Sequence, residues 1–470
     1  MSSPQDQSQA GPSFHRGTFS DEIENARTDL SRKMILGDSD VESPSTTESD
    51  VAPSLSPSTS APSSPDLDAA EPPITPEESN GHTDGEKPPL VADSFAFAFD
   101  IDGVLVRGGR PIPEALEAMK VLNGKNKYGI KIPYIFLTNG GGKSEAERCG
   151  DLSRQLEVDI SPAQFICGHT PMSEMASKHN TVLVVGGEGE KCRTVAQSYG
   201  FKDVVTPGDI IKANSATTPF RKLTPEELKN SKERDFSDVV IEAIFVFADS
   251  RDWAGDLQII IDLAMSKGGR VGTLSETFDE GPPIYFSHND VVWSAAHENV
   301  RLGMGALRGI VEYTFKEVTK GKTLETHAFG KPQVGTFEFA TRLLKRWRKN
   351  EHNLNSPPNT VYFVGDTPES DIRGTNRFNE RAENDWYSIL VKTGVYQDGT
   401  EPAYKPRVTV DTVLDAVNHG IEREMQRRKQ RKLTLTKMPT LSLEDGSKNN
   451  EVHILSPAIE RELGELGLVA

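Results

Sequence analysis

Cysteine is scarce in this chain: only Cys149, Cys167 and Cys192 occur in 470 residues, and no two of them form a Cys-x-x-Cys pair. That spacing excludes a disulfide framework and a thiolate zinc site, and it fits buried, inert thiols in a reducing compartment. No run of about 18 apolar residues is present, so no transmembrane segment is expected. Positive charge is also short, with 53 Lys and Arg against 70 Asp and Glu, a net charge of −17. Residues 1–90 hold 17 of the acids and only 5 of the bases. The rest of the chain is nearly balanced and offers no strongly basic face to a phosphate backbone, so nucleic acid is not expected as a partner. The first thirty residues carry Asp6, Asp21, Glu22 and Glu24, unlike an Arg-rich, acid-poor transit peptide, and no secretory signal is visible.

What is present divides by composition. From Val41 to Asn80, 22 of 40 residues are Ser, Thr or Pro. Such a stretch has too little apolar surface to offset chain entropy, and residues 1–92 are expected to form a disordered acidic tail. Ser43, Ser56, Ser64 and Thr75 each precede a proline, the pattern of proline-directed phosphorylation, with an unregulated solvated linker as the simpler alternative. Residues 428–470 turn polar again, and a mostly disordered tail with a short helix at 458–466 is expected there.

Between the tails the pattern changes to α/β. Phe95-Ala-Phe-Ala-Phe runs into Asp100 and is followed by helical spacing from Pro113 to Leu122. Pro133 to Leu137 ends at Thr138-Asn139-Gly140, and Thr360 to Gly365 ends at Asp366. Strands alternating with helices predict a doubly wound, Rossmann-like parallel sheet, with ligands at the carboxyl ends of its strands. Further strands are expected at Thr181–Val185 and Ile241–Phe247, with a helix over Leu257–Ser266. The stretch between the second and third motifs is too long for a loop. It predicts an inserted α/β domain over 143–324, with the core made from 93–142 and 325–425. Phe220–Asp235 and Lys345–Pro358 are read as charged excursions, and Trp253 and Trp293 as core of the inserted domain.

Asp100-Ile-Asp102 alone means little, because the same spacing recurs at Asp38 and Asp40 and at Asp66 and Asp68 in the acidic tail. Only Asp100 follows an apolar strand and precedes Gly103-Val-Leu. Singly, Thr138 could end a strand, Lys331 could be a surface lysine before a turn proline, and Asp371 could cap a helix. Together, and in order, Asp100-x-Asp102, Thr138-Asn139, Gly330-Lys331-Pro332 and Gly365-Asp366-x-x-x-x-Asp371 are a specific set. The chain over residues 93–425 resembles the haloacid dehalogenase (HAD) superfamily.

The resemblance implies a magnesium-dependent phosphatase. Phosphoryl transfer needs an anionic nucleophile and neutralised phosphoryl oxygens. By the resemblance, Asp100 is the nucleophile that becomes an aspartyl-phosphate, and Asp102 is the acid and then the base. Thr138 and the Asn139 backbone bind phosphate, and Lys331 supplies positive charge to nucleophile and phosphate. Asp100, the Asp102 carbonyl and Asp366, supported by Asp371, form the Mg²⁺ site.

An insertion between the second and third motifs is similar to the superfamily's type-two caps, subfamily IIA. Phe286-Ser-His-Asn289-Asp290 resembles a cap segment of that subfamily, with a departure around Asn289. Arg107-Gly, Ile112-Pro113, Gly168-His169-Thr-Pro171-Met172 and Thr393-Gly394-Val395-Tyr396 look like the cat-eye-syndrome critical-region type. That branch implies a mitochondrial setting, against the missing transit peptide, with cytosol as the alternative, and a link to glycerophospholipid biosynthesis. A covering cap favours a small phosphorylated metabolite as substrate. His169, His288 and His297 are candidates for the cap face, with ordinary core or surface positions as the commoner reading of a lone histidine. The alternatives are a catalytically weak scaffold that keeps the fold, and a phosphotransferase or mutase. Homo-oligomerisation stays open.

Overall fold

The computed structural model describes residues 90–436. All but the last three residues of the expected acidic tail, its four Ser-Pro or Thr-Pro sites, and the helix expected at 458–466 lie outside the described residues. Leu90–Val91 already pairs with Ile130–Lys131, so regular structure starts a few residues before Phe95.

In β1 (Phe95–Phe99) every side chain is buried. The two-residue period of a strand sends Phe95, Phe97 and Phe99 to one face and Ala96 and Ala98 to the other. The phenylalanine face packs with Ala115, Ala118, Met119 and Leu122 of α1 (Pro113–Leu122), and burying each Phe is worth about 1.5–3 kcal/mol. On the other face the small alanines let Phe337, Ala340 and Leu344 of a later helix approach. Next come β2 (Tyr134–Leu137), α2 (Glu145–Leu156) and β3 (Phe165–Ile166). Ser144 caps α2 in a reciprocal box with Glu147, each accepting from the other's backbone N–H at 3.2 Å.

The chain then builds a second parallel sheet from β4 (Thr181–Val185), β5 (Asp203–Val205), β6 (Ala243–Val246), β7 (Ile284–Phe286) and β8 (Thr326–Ala328), in the order β8-β7-β6-β4-β5. Helices α3 (Trp253–Ala264) and α4 (Met304–Val318) bury an apolar face on it. It returns through α5 (Val334–His352), β9 (Thr360–Gly365), β10 (Asp385–Val391), β11 (Val408–Val410) and α6 (Val413–Thr436). The first sheet has the order β11-β10-β9-β1-β2-β3, all parallel. This is the doubly wound α/β architecture expected from the alternation of strands and helices. No helix among the described residues is long and apolar enough to cross a membrane.

Several local expectations need correction. Phe165–Ile166 pairs into the first sheet and Thr326–Ala328 into the second, so the sheets exchange chain nearer 167 and 329 than 143 and 324. Most of the Lys345–Pro358 excursion is the end of α5, which continues because Leu344 and the fully buried Arg348 face inward. Phe220–Asp235 holds a short helix, Pro225–Asn230. α6 extends past Arg427 to Thr436, held where Arg428 pairs with Asp93 at 2.6 Å and Arg427 bonds Thr360 at 3.1 Å. Trp253 packs partly buried against the second sheet, whereas Trp293 is exposed on a two-stranded ribbon with Arg301–Leu302.

Candidate active site

Parallel register brings three strand ends level. Val364 of β9 pairs with Phe99 of β1, and Phe99 pairs with Phe136 of β2. Asp100, Thr138 and Asp366 therefore leave adjacent strands along one carboxyl edge, at the point where strand order reverses and ligands of doubly wound sheets gather. The Asp100 N–H donates to Val364 O at 2.9 Å, so the ladder reaches the carboxylate-bearing residue itself.

Lys331 follows β8 and enters this edge from the second sheet. Its Nζ lies 2.8 Å from Asp100 Oδ1 and 2.7 Å from Asp371 Oδ1, with the lysine and Asp371 almost completely buried. Burial alone would lower the lysine pKa, but the charges of Asp100 and Asp371 outweigh it and keep the ammonium protonated. Burial pushes Asp100 well above the usual carboxylate range, against the pull of Lys331.

Asp371 Oδ2 accepts from the N–H groups of Asp366 and Thr367, both at 3.0 Å, and so shapes the loop after β9. Asp366 Oδ2 accepts from Val395 N–H at 2.7 Å, and burial, with the charge of Asp371, pushes Asp366 up to about 7. Space around that oxygen depends on two glycines. A Cβ on Gly394 would stand 1.8 Å from it and one on Gly103, at φ +90°, 2.2 Å. One oxygen each from Asp100, Asp366 and Asp371 lies within 4.8 Å of the others. Three buried carboxylates outnumber the single ammonium, and an all-oxygen set of this kind fits a hard divalent cation.

The Asp102 carboxylate stands apart from that cluster. It turns toward Arg148 of α2, with Oδ2 3.4 Å from Nη2, and burial raises its pKa against the charge of Arg148. Thr138 is buried, and its hydroxyl oxygen accepts from Gly140 N–H at 3.0 Å, leaving its proton to donate. Asn139 is used differently from the expectation of a backbone phosphate ligand alone. Its Oδ1 accepts from Lys331 N–H at 2.8 Å, while its Nδ2 donates to Lys331 O at 3.0 Å and to Asp290 Oδ2 at 2.8 Å.

The structure thus gathers Asp100, Lys331, Asp366 and Asp371 tightly, with Asp102, Thr138 and Asn139 at their rim. Sequence reasoning gave no role to Arg148 or Asp290. Arg148 was within reach of a helix-start argument, because the Ser144 and Glu147 pair sets the first turn that carries it. Asp290 was marked only as the end of the Phe286–Asp290 cap segment, and nothing in the sequence signalled its bond to Asn139, 151 residues away. Of the three histidines, His169 is fully buried, bonds Tyr199 Oη at 2.8 Å and is pushed down to about 4 by burial. His297 is exposed, and His288 is buried beside the site, where its Nδ1 accepts from Asp290 N–H at 3.3 Å and its Cβ lies against Gly330.

A family model described as haloacid dehalogenase-like hydrolase matches residues 97–202, and one described as HAD-hydrolase-like matches residues 328–416. The chain is 40% identical over 356 residues to a mitochondrial hydrolase of Saccharomyces cerevisiae, a match covering 71% of this chain and 97% of that protein. It is 39% identical over 337 residues to a cardiolipin synthase (CMP-forming)/mitochondrial hydrolase fusion protein of Schizosaccharomyces pombe, covering 71% of this chain. That match spans only 54% of the fusion protein. Among solved structures, a p-nitrophenyl phosphatase from Archaeoglobus fulgidus is 17% identical with a TM-score of 0.45, covering 70% of this chain and 100% of that one.

Proposed function

The chain belongs to the haloacid dehalogenase-like hydrolases, and from that premise we propose that it is a magnesium-dependent phosphatase acting through an aspartyl-phosphate on Asp100. The observation that carries this reading is the buried Asp100 carboxylate, touched by Lys331 and clustered with Asp366 and Asp371 at the strand ends.

Asp100 attacks phosphorus and takes the phosphoryl group, forming the Asp–O–P bond as the ester bond to the leaving oxygen breaks. Asp102 protonates that leaving oxygen, then removes a proton from the water that hydrolyses the acyl phosphate. Its partner Arg148, 3.4 Å away, holds that carboxylate at the rim of the cluster. Lys331 and the Thr138 hydroxyl, with the Asn139 backbone, neutralise the phosphoryl oxygens. Asp100, Asp366 and the Asp102 carbonyl, supported by Asp371, would hold a magnesium ion, which would supply the positive charge that an anionic nucleophile needs to approach an anionic phosphate.

The second sheet reaches the site through Asp290 and Lys331, which supports a small phosphorylated substrate over a phosphoprotein. The names of the two relatives support a mitochondrial setting, and the fusion of one of them to a cardiolipin synthase supports a phosphomonoester of glycerophospholipid metabolism as substrate. A magnesium-dependent screen of small phosphate esters, with Asp100→Asn beside the native chain, tests the proposal. Turnover that vanishes in the variant and with chelator is the expected result. Equal, negligible activity in both proteins overturns it.

A further inference from the structure

The Asn139 carboxamide is the joint between the two sheets at the site, and all its hydrogen-bonding groups are committed. Oδ1 takes the Lys331 N–H, one direction of Nδ2 takes the Lys331 carbonyl, and the other takes Asp290 Oδ2. The amide clamps the lysine backbone from both sides, and this works in only one orientation. Turned over, it would set its oxygen against both the Lys331 carbonyl and the Asp290 carboxylate, and its two donors against a donor N–H.

Asp290 is itself held firmly. Its carbonyl accepts from Gly305 N–H at 2.9 Å in the first turn of α4, and its own N–H is bonded to His288. The packing leaves no slack. A Cβ on Gly330, at φ +72°, would stand 2.7 Å from both Asn139 Oδ1 and Ser287 O, and one on Gly168 would stand 2.5 Å from Asn139 O. Asn139 and Lys331 are both almost fully buried, and the Asp290 side chain is 17% exposed. A charged acceptor in such surroundings makes a strong bond, and a carboxamide left without it would lose its preferred orientation.

We infer that Asp290 is a positioning residue for phosphoryl transfer: from the second sheet it orients the Asn139 carboxamide, which fixes the Lys331 backbone and so places Nζ on Asp100. The inference rests on the phosphatase reading for its kinetic test and on geometry alone for its structural one. Asp290 touches no reacting atom, so its loss acts on kcat through Lys331.

With p-nitrophenyl phosphate as probe and the full chain as enzyme, Asp290→Ala is expected to lower kcat by about 10- to 100-fold, the range for supporting residues around a reactive centre. KM and the unfolding midpoint stay near the native values. Asp290→Asn, whose amide oxygen still accepts from Asn139, recovers most of kcat. Asn139→Ala loses as much as Asp290→Ala, and the double variant loses no more, because both act on one clamp. A native kcat in Asp290→Ala, a loss confined to KM, or additive losses overturn the inference. Crystal structures of the same variants decide it without turnover. Asp290→Ala is expected to show a turned Asn139 amide and a displaced Lys331, and Asp290→Asn neither. An unmoved lysine in Asp290→Ala overturns the inference even if the native chain hydrolyses nothing, an outcome that would count separately against the phosphatase reading.

Discussion

Lys331 and Asp371 form an ion pair 2.7 Å long between side chains almost completely removed from solvent. The Asp371 carboxylate has a second task, accepting the N–H groups of Asp366 and Thr367 on its other oxygen. One side chain therefore neutralises the lysine and shapes the loop that carries Asp366.

Asp371→Ala removes both functions together. It leaves a buried ammonium with Asp100 as its remaining close partner and strands two backbone donors. Breaking a buried pair from one side costs about 3–5 kcal/mol. The urea midpoint of Asp371→Ala should fall accordingly, and a native midpoint would show that the pair contributes nothing to the fold.

Gly394→Ala addresses the carboxylate cluster from outside. The added methyl would stand 1.8 Å from Asp366 Oδ2, an atom already fixed by Val395 N–H, so Asp366 must turn away. Apparent magnesium affinity, read from activity against metal concentration, should weaken by about 10- to 100-fold, with Asp100 and Lys331 left in place. Unchanged affinity would mean that Asp366 is not a metal ligand.

The strand-terminal polar residues were legible because one physical rule governs them. A strand buried on both faces is a continuous apolar run, and its last residue is where polar chemistry begins, as at Phe99-Asp100, Leu137-Thr138 and Gly365-Asp366. Sheet exchange was harder to see. Phe165–Ile166 and Thr326–Ala328 are too short to carry a period, and their partners are chosen by long-range packing. The Asn139 clamp was invisible for the same reason, since its partners are 151 and 192 residues away. Lys345 to His352 looked like a loop because it is charged, yet it is the end of an amphipathic helix that turns Arg348 and Trp347 inward and Lys345 and Lys349 to solvent.

Asp256, in the first turn of α3, is buried and pushed up to about 6, chiefly by desolvation. Its folded pKa lies above the unfolded value, so its favourable contribution is complete below the unfolded pKa of 3.8 and is lost as pH rises through about 6. The ionised form costs the native state about 3 kcal/mol at higher pH. Asp256→Asn removes that cost. Its gain in urea midpoint over the native chain should be larger near pH 8 than near pH 4.5. An equal gain at both would show that Asp256 ionises as freely in the fold as out of it.

Asp102 has two duties in the proposed reaction, and a good leaving group separates them. p-Nitrophenolate departs from phosphorus without needing a proton, so Asp102→Asn should still form the aspartyl-phosphate from p-nitrophenyl phosphate at a useful rate. Hydrolysis of that intermediate needs water deprotonated by the same residue, and there the variant has no base. Loss of general catalysis costs about 10²- to 10⁴-fold in the affected step. The variant should therefore release a burst of p-nitrophenol near one equivalent of enzyme, followed by slow turnover, with acid-stable mass analysis locating the phosphoryl group on Asp100. Alkyl phosphates, whose leaving alkoxide requires the proton, should give no burst. A burst with both substrate types would restrict Asp102 to the hydrolytic step, and a slow linear release with p-nitrophenyl phosphate would mean that Asp102 supports nucleophilic attack itself.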